Sequence, residues 1–235
     1  MQLPLAILAG GLGKRLLEKT SDTPKPLLEV FGKPFIHRQL EYLQKQGFKK
    51  IVICTAFLGN KIKAYVGDGS KFGLNVSYSD DGDHLLGTGG SIKKATKLMN
   101  KDFFILYGDS YLPINFSLVE KAFKAEGKSA LMTVLKNNGQ WDVSNAYFKN
   151  KLVYYNKKNP KNDMNYIDYG LSVVNNSIFK DFPEGKSFDI ADVFEKLSMD
   201  KQLAGYEVEE RFYEIGSLKG LNETINFFKE KEKIK

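Results

Sequence analysis

The chain has 235 residues, 42% hydrophobic and 27% charged, with 35 lysines and arginines against 28 acids, a net charge of +7. Those are globular values, at a length that suits one domain and buries roughly 70–75% of the unfolded surface, so no covalent staples are required. One cysteine (Cys54) and two histidines (His37, His84) exclude a disulfide framework, a Cys-rich zinc site and a multi-histidine metal centre.

In chain order, residues 3–9 form a short apolar run closed by glycines, which predicts a buried strand. Residues 35–46 place Phe35, Ile36, Leu40 and Leu43 at helical spacing before Gly47. Strands are predicted at 51–55 and 74–79, a short helix at 61–66, a helix opening on glycines at 88–99, and a buried strand at 103–107 ending in Gly108-Asp109. That alternation predicts βαβ units and a mainly parallel sheet. After about residue 128 the pattern changes to strands at 130–136, 146–148, 152–155 and 166–174, with helices at 190–197 and 218–229. The expectation is one α/β domain over residues 1–235, its half at 1–128 doubly wound and its half at 129–235 adding antiparallel strands over the mouth of the sheet. No apolar run approaches the ~20 residues of a membrane span, and the first residues lack the charged and apolar regions of a signal peptide. A cytoplasmic protein with no membrane partner is expected. The lysines are spread among acids, without a basic–aromatic block, so no nucleic-acid partner is expected either.

Ligands of such sheets bind beyond the carboxyl ends of the strands. Topology alone brings three segments there: Leu8-Ala9-Gly10-Gly11-Leu12-Gly13-Lys14-Arg15, Gly87-Thr88-Gly89-Gly90, and Gly108-Asp109. Glycines after a strand let backbone N–H groups approach an anion, and Lys14 and Arg15 add charge. The spacing matches neither the dinucleotide fingerprint nor the Walker pattern, since Arg15 stands where Ser or Thr would be. In Thr23-Pro24-Lys25-Pro26 the prolines stiffen the chain around a lysine, a form suited to neutralising phosphate.

Taken together, the glycine segment, Pro24-Lys25-Pro26-Leu27, Gly32-Lys33-Pro34-Phe35, Gly87-Thr88-Gly89-Gly90 and Gly108-Asp109 resemble the sugar-1-phosphate nucleotidyltransferases. The short bacterial heptose-1-phosphate guanylyltransferases and N-acetylmuramate-1-phosphate uridylyltransferases are the most similar in kind. The resemblance is dense in the first half and loose in the second. It implies a Rossmann-like nucleotidyltransferase fold, with a mixed, mostly parallel central sheet, helices on both faces and extra antiparallel strands in the C-terminal half. It implies transfer of a nucleotidyl group from an NTP to a sugar 1-phosphate with Mg²⁺, GTP and a heptose phosphate being the first expectation. Uridylyl, cytidylyl and thymidylyl transfer stay open, as does a catalytically silent regulator. Monomer and homodimer are both left open.

The resemblance also implies roles. Leu8, Ala9, Gly10, Gly11 and Gly13 would border the nucleotide, with Arg15 on the β- and γ-phosphates and Lys25 at the α-phosphate. Gly87 and Thr88 would lie near base or ribose. Asp109 would hold the metal, with Glu214 in the place of a second metal-binding aspartate, a departure from the family pattern. Arg15, Lys25 and Asp109 would carry catalysis. On the sugar side the candidates are Asn145, Asp168, Gly170 and one of Lys157 and Lys158, Lys157 being favoured; Asn156 stands where an acid is usual. Cys54 and His37 read as core and structural residues, His84 as a solvent-facing loop residue and Trp141 as a partly buried aromatic beside a turn.

Overall fold

The computed structural model describes residues 3–11, 22–99 and 101–233. Nine strands form one sheet in the order β5-β4-β1-β6-β11-β8-β12-β10-β9. β1 is Leu5–Leu8, β4 Lys50–Thr55, β5 Asn75–Asp80, β6 Asp102–Tyr107, β8 Ala130–Lys136, β9 Ala146–Lys149, β10 Leu152–Tyr155, β11 Tyr166–Asn175 and β12 Leu203–Val208. Pairs β5–β4, β4–β1 and β1–β6 are parallel. The chain runs outward from β1 through β4 to β5 and then returns to β6 on the other side of β1, a reversal that opens a crevice at the carboxyl ends of β1 and β6.

Alternation along the strands assigns the faces. Leu5 and Ile7, Ile51 and Ile53, and Phe104 and Leu106 bury on one side with α1 (Phe35–Lys45), α2 (Gly59–Val66) and α4 (Phe116–Glu126). Ala6, Val52, Cys54, Phe103 and Ile105 bury on the other with α3 (Gly87–Ala95) and α5 (Ile190–Met199). Both faces are therefore covered by helices, which is why these strands are apolar throughout. A smaller cluster joins the β2–β3 hairpin (Glu29–Val30, Lys33–Pro34) through Val30 and Phe35 to Leu221 and Phe228 of α6 (Leu218–Lys233). Helix ends follow local chemistry. Asn115 and Asp189 accept hydrogen bonds from Ser117 N and Ala191 N to start α4 and α5, and Gly127 ends α4 at φ +59°.

The structure differs from the sequence reading at four points. The C-terminal strands do not lie over the mouth of the sheet. β11 inserts antiparallel between β6 and β8, so the second half prolongs the first half's sheet. β12, unassigned in the sequence, pairs parallel with β8; Gly205 interrupts its apolar pattern, because a side chain there would overlap the Phe148 ring. α4 was also unassigned; its buried positions, Phe116, Val119, Glu120 and Phe123, include a charged one. The helix expected at 88–99 runs as α3 to Ala95 and finishes as a 3₁₀ turn, Thr96–Leu98.

Candidate active site

The crevice begins where β1 and β6 end. Gly108 N donates to Leu8 O at 3.0 Å, and a side chain on Gly108 would overlap that carbonyl, so only glycine lets the two strand ends meet. Asp109 follows directly. Lys25 opens a 3₁₀ turn (Lys25–Leu27) that Pro26 stiffens, and its Nζ lies 3.1 Å from Asp109 Oδ2. Two short strands, β7 (Ser110–Tyr111) and β13 (Tyr213–Glu214), then pair antiparallel with Glu214 opposite Ser110. The consequence is convergence. A Cβ placed on Gly216 would sit 2.8 Å from Glu214 Oε2, 3.3 Å from Asp109 Oδ2 and 3.7 Å from Lys25 Nζ.

Two clefts meet at this point. One, about 410 Å³, is bordered by Leu8, Ala9, Gly10, Gly11, Asp81, Gly87 and Thr88. The other, about 720 Å³, is bordered by Asn145, Lys157, Asp168, Gly170, Arg211, Phe212 and Glu214. Gly11, Lys25, Tyr107, Asp109 and Lys157 border both. Every expected site residue within the described part of the chain is thus on one of the two walls; Gly13 and Arg15 lie outside the described residues.

The structure adds roles that the sequence did not show. Thr88 spends its hydroxyl inside the fold, donating to Asp189 Oδ1 at 2.7 Å and accepting from Ile190 N at 2.9 Å. Gly87 has φ +67°, and a Cβ there would lie 2.6 Å from Phe188 O. The Gly-Thr-Gly-Gly segment is therefore also the dock for the start of α5. Asp189 is held below the usual carboxylate range, with burial opposing the hydrogen bonds from Ala191 N and Thr88. Lys157 Nζ stands 3.9 Å from Asp189 Oδ2 while Lys158 pairs with Asp192, so the first of the two lysines is the one at the cleft. Asn156 is turned away, donating to Glu195 at 2.8 Å.

On the larger cleft, Asn145 Oδ1 accepts from Asp168 N at 3.0 Å. Asp168 accepts from Tyr107 Oη at 2.8 Å and from Gly170 N at 3.0 Å. Gly170 has φ +100°, which brings β11 close to the Tyr107 ring. Burial raises the Asp168 carboxyl above the usual range, the two donors only partly offsetting it. A carboxyl raised by folding favours the folded state at low pH and loses that advantage as pH rises through its folded value. Asp168→Asn, which keeps partners for Tyr107 and Gly170, is thus expected to melt above the parent at pH 8, the gap shrinking as pH falls through the raised range of the carboxyl. Melting curves across pH check this; a gap that widened towards acid would contradict it.

Glu214 caps the first turn of α6: its carboxylate accepts from Gly216 N, from Ser217 N at 3.1 Å and from Ser217 Oγ at 2.6 Å. A carboxylate has about four acceptor directions, so one remains. Asp109 and Glu214 offer hard oxygen donors beside a cleft, a set that fits Mg²⁺, which keeps waters and takes phosphate oxygens with only one or two carboxylates. Among the described residues there is no group of three or more metal-ligating side chains. His37 and Cys54 are, as expected, packing residues: His37 lies edge-on to Phe72 at 5.0 Å, and Cys54 is buried with its thiol pushed up by burial and by Asp81. His84 is exposed, and Trp141, expected to be partly buried, is exposed too, its ring edge-on to Phe212 at 6.2 Å.

Residues 5–231 match the family model described as nucleotidyl transferase. The D-glycero-alpha-D-manno-heptose 1-phosphate guanylyltransferase of Aneurinibacillus thermoaerophilus is 31% identical over 216 residues, covering 89% of this chain and 91% of its own. Its namesake from Campylobacter jejuni is 28% identical over 213 residues, covering 89% and 93%. The crystal structure of HddC from Yersinia pseudotuberculosis complexed with GMP-PN superimposes with a TM-score of 0.77 at 23% identity, over 97% of this chain and 100% of that one, so the fold is shared. Among the described residues no helix is long and apolar enough to cross a membrane.

Proposed function

The chain belongs to the nucleotidyl transferase family, and from that premise we propose that it joins an NTP to a sugar 1-phosphate, giving an NDP-sugar and pyrophosphate. GTP and a heptose 1-phosphate are the preferred pair in this reading, which the two guanylyltransferase relatives support. The observation that carries it is the meeting of two clefts at the Lys25–Asp109 pair, with Lys157 bordering both.

The nucleotide takes the smaller cleft, against Gly10, Gly11 and Gly87, and the sugar takes the larger. An oxygen of the sugar phosphate forms a bond to the α-phosphorus as the bridging bond to the β-phosphate breaks, its electron pair leaving with pyrophosphate. The attacking phosphate is already anionic near neutral pH, so no side chain need remove a proton. The protein's part is positioning and charge neutralisation. Lys25 meets charge at the α-phosphate and Lys157 holds the sugar phosphate. Arg15, on the resemblance, meets the β- and γ-phosphates. Asp109, with Glu214, would hold Mg²⁺, which supplies further neutralisation of phosphate charge. Asn145, Asp168 and Gly170 receive the sugar hydroxyls. We place the reaction in the cytoplasm, where NTPs are made.

Thermal shift with GTP, CTP, UTP and dTTP tests the nucleotide half. A ligand at about 100 times its Kd stabilises by ~2.7 kcal/mol, which in a chain of this size is about 5–10 °C. The largest shift is expected with GTP and Mg²⁺, falling when EDTA is added. Equal indifference to all four nucleotides would count against the assignment of the smaller cleft.

A further inference from the structure

The larger cleft has one wall that the reaction above does not use. Arg211 borders it with its guanidinium 4.3 Å from the Trp141 ring and 4.6 Å from the Tyr213 ring. Nη2 donates to Glu223 at 2.6 Å and Nε to Phe212 O at 3.2 Å. Trp141 is itself placed by a built turn: Asn137, fully buried, accepts from Trp141 N at 3.0 Å and donates to Ser144 Oγ at 3.0 Å. The guanidinium is thus fixed by two rings and two acceptors, and its Nη1 has no partner among the described residues. Arginine offers donors only, in a rigid fork.

A pinned fork with an unused donor edge recognises an oxygen acceptor. Glu223 neutralises its charge and Asp142 borders the same wall, so a neutral hydroxyl suits the surroundings better than a carboxylate. The geometry points to Arg211 as a specificity residue that reads a hydroxyl on a substituent of the sugar ring, away from the reacting phosphate. This rests on the larger cleft being the sugar phosphate site.

Steady-state turnover of matched sugar 1-phosphates by the whole protein tests it. The pairs are mannose 1-phosphate against its 6-deoxy counterpart, and a heptose 1-phosphate against the same deoxy sugar; mannuronic acid 1-phosphate serves as the charged arm. A hydrogen bond to a charged donor is worth roughly 10–100-fold, so the parent is expected to favour a hydroxylated member by about that ratio in kcat/KM. Arg211→Met brings the ratio towards 1, mainly through KM for the sugar phosphate. Arg211→Lys keeps the charge without the fork and lowers the ratio in the same sense. Equal losses on both members of a pair, no change in the ratio, or preference for the uronic acid would each overturn the assignment. Failure of the parent to turn over any sugar phosphate would instead sink the reading beneath it, and this one with it.

Discussion

Lys25→Ala and Asp109→Ala are each expected to lower kcat by about 10²–10³ while leaving the fold intact, the usual cost of deleting one fixed electrostatic contact at a reacting centre. Position decides the size. Lys25 and Asp109 border both clefts, where the two substrates have to meet, and they lie 3.1 Å apart. They pair with each other in the structure; on the proposed reading a bound nucleotide would draw the lysine's charge to phosphate and free the aspartate for a cation. Their side chains are 17% and 38% exposed, so water solvates whichever partner remains and stability changes little. Circular dichroism and melting curves separate loss of catalysis from loss of fold. A variant that stayed folded and kept near-parent turnover would show that the pair is only structural.

Gly220→Ala should destabilise the protein by about 1–2 kcal/mol and lower activity by roughly 10-fold or more. The sign is unusual, since Gly→Ala inside a helix ordinarily gains up to ~1 kcal/mol. Here a Cβ on Gly220 would overlap the Glu214 carboxylate, which folds back over the first turn of α6. The added methyl has to push that carboxylate off Gly216 N, Ser217 N and Ser217 Oγ and shift it relative to Asp109 and Lys25. The glycine is the space that the glutamate's longer arm needs at a position where the family resemblance implies an aspartate. Glu214→Asp shortens the arm by one methylene, so the double variant should recover stability beyond the sum of the single effects. Melting temperatures of the four proteins decide it; a Gly220→Ala protein as stable as the parent would remove the argument.

The residues legible in the sequence were those whose meaning is local. Gly10 and Gly11 end an apolar run, Asp109 ends another, and prolines bracket Lys25, so each could be placed on a strand end or a stiff turn without knowing what faces it. What stayed hidden was non-local. Lys157 and Lys158 are neighbours of one type, and only α5, from another part of the chain, separates them by pairing the second with Asp192. Glu214 reads as a surface residue until β13 pairs with β7 and sets it opposite Ser110, next to Asp109. Thr88 resembles a ligand contact, but its hydroxyl is taken by a helix end 101 residues away. The Arg211–Trp141 wall joins two segments that carry no motif. The order of the C-terminal strands was likewise out of reach: β11 is ten residues long, yet nothing in its own residues says that it belongs between β6 and β8.

The most direct measurement is product analysis after mixing the protein with GTP, a heptose 1-phosphate and Mg²⁺. The expected result is one pyrophosphate for each GDP-sugar formed, with UTP, CTP and dTTP less effective, and product forming about 10²–10³ times more slowly once Asp109 is changed to alanine. Tight nucleotide binding with neither pyrophosphate nor nucleotide sugar appearing, across the four NTPs and a panel of sugar phosphates, would contradict it and mark the chain as a sensor built on the same fold.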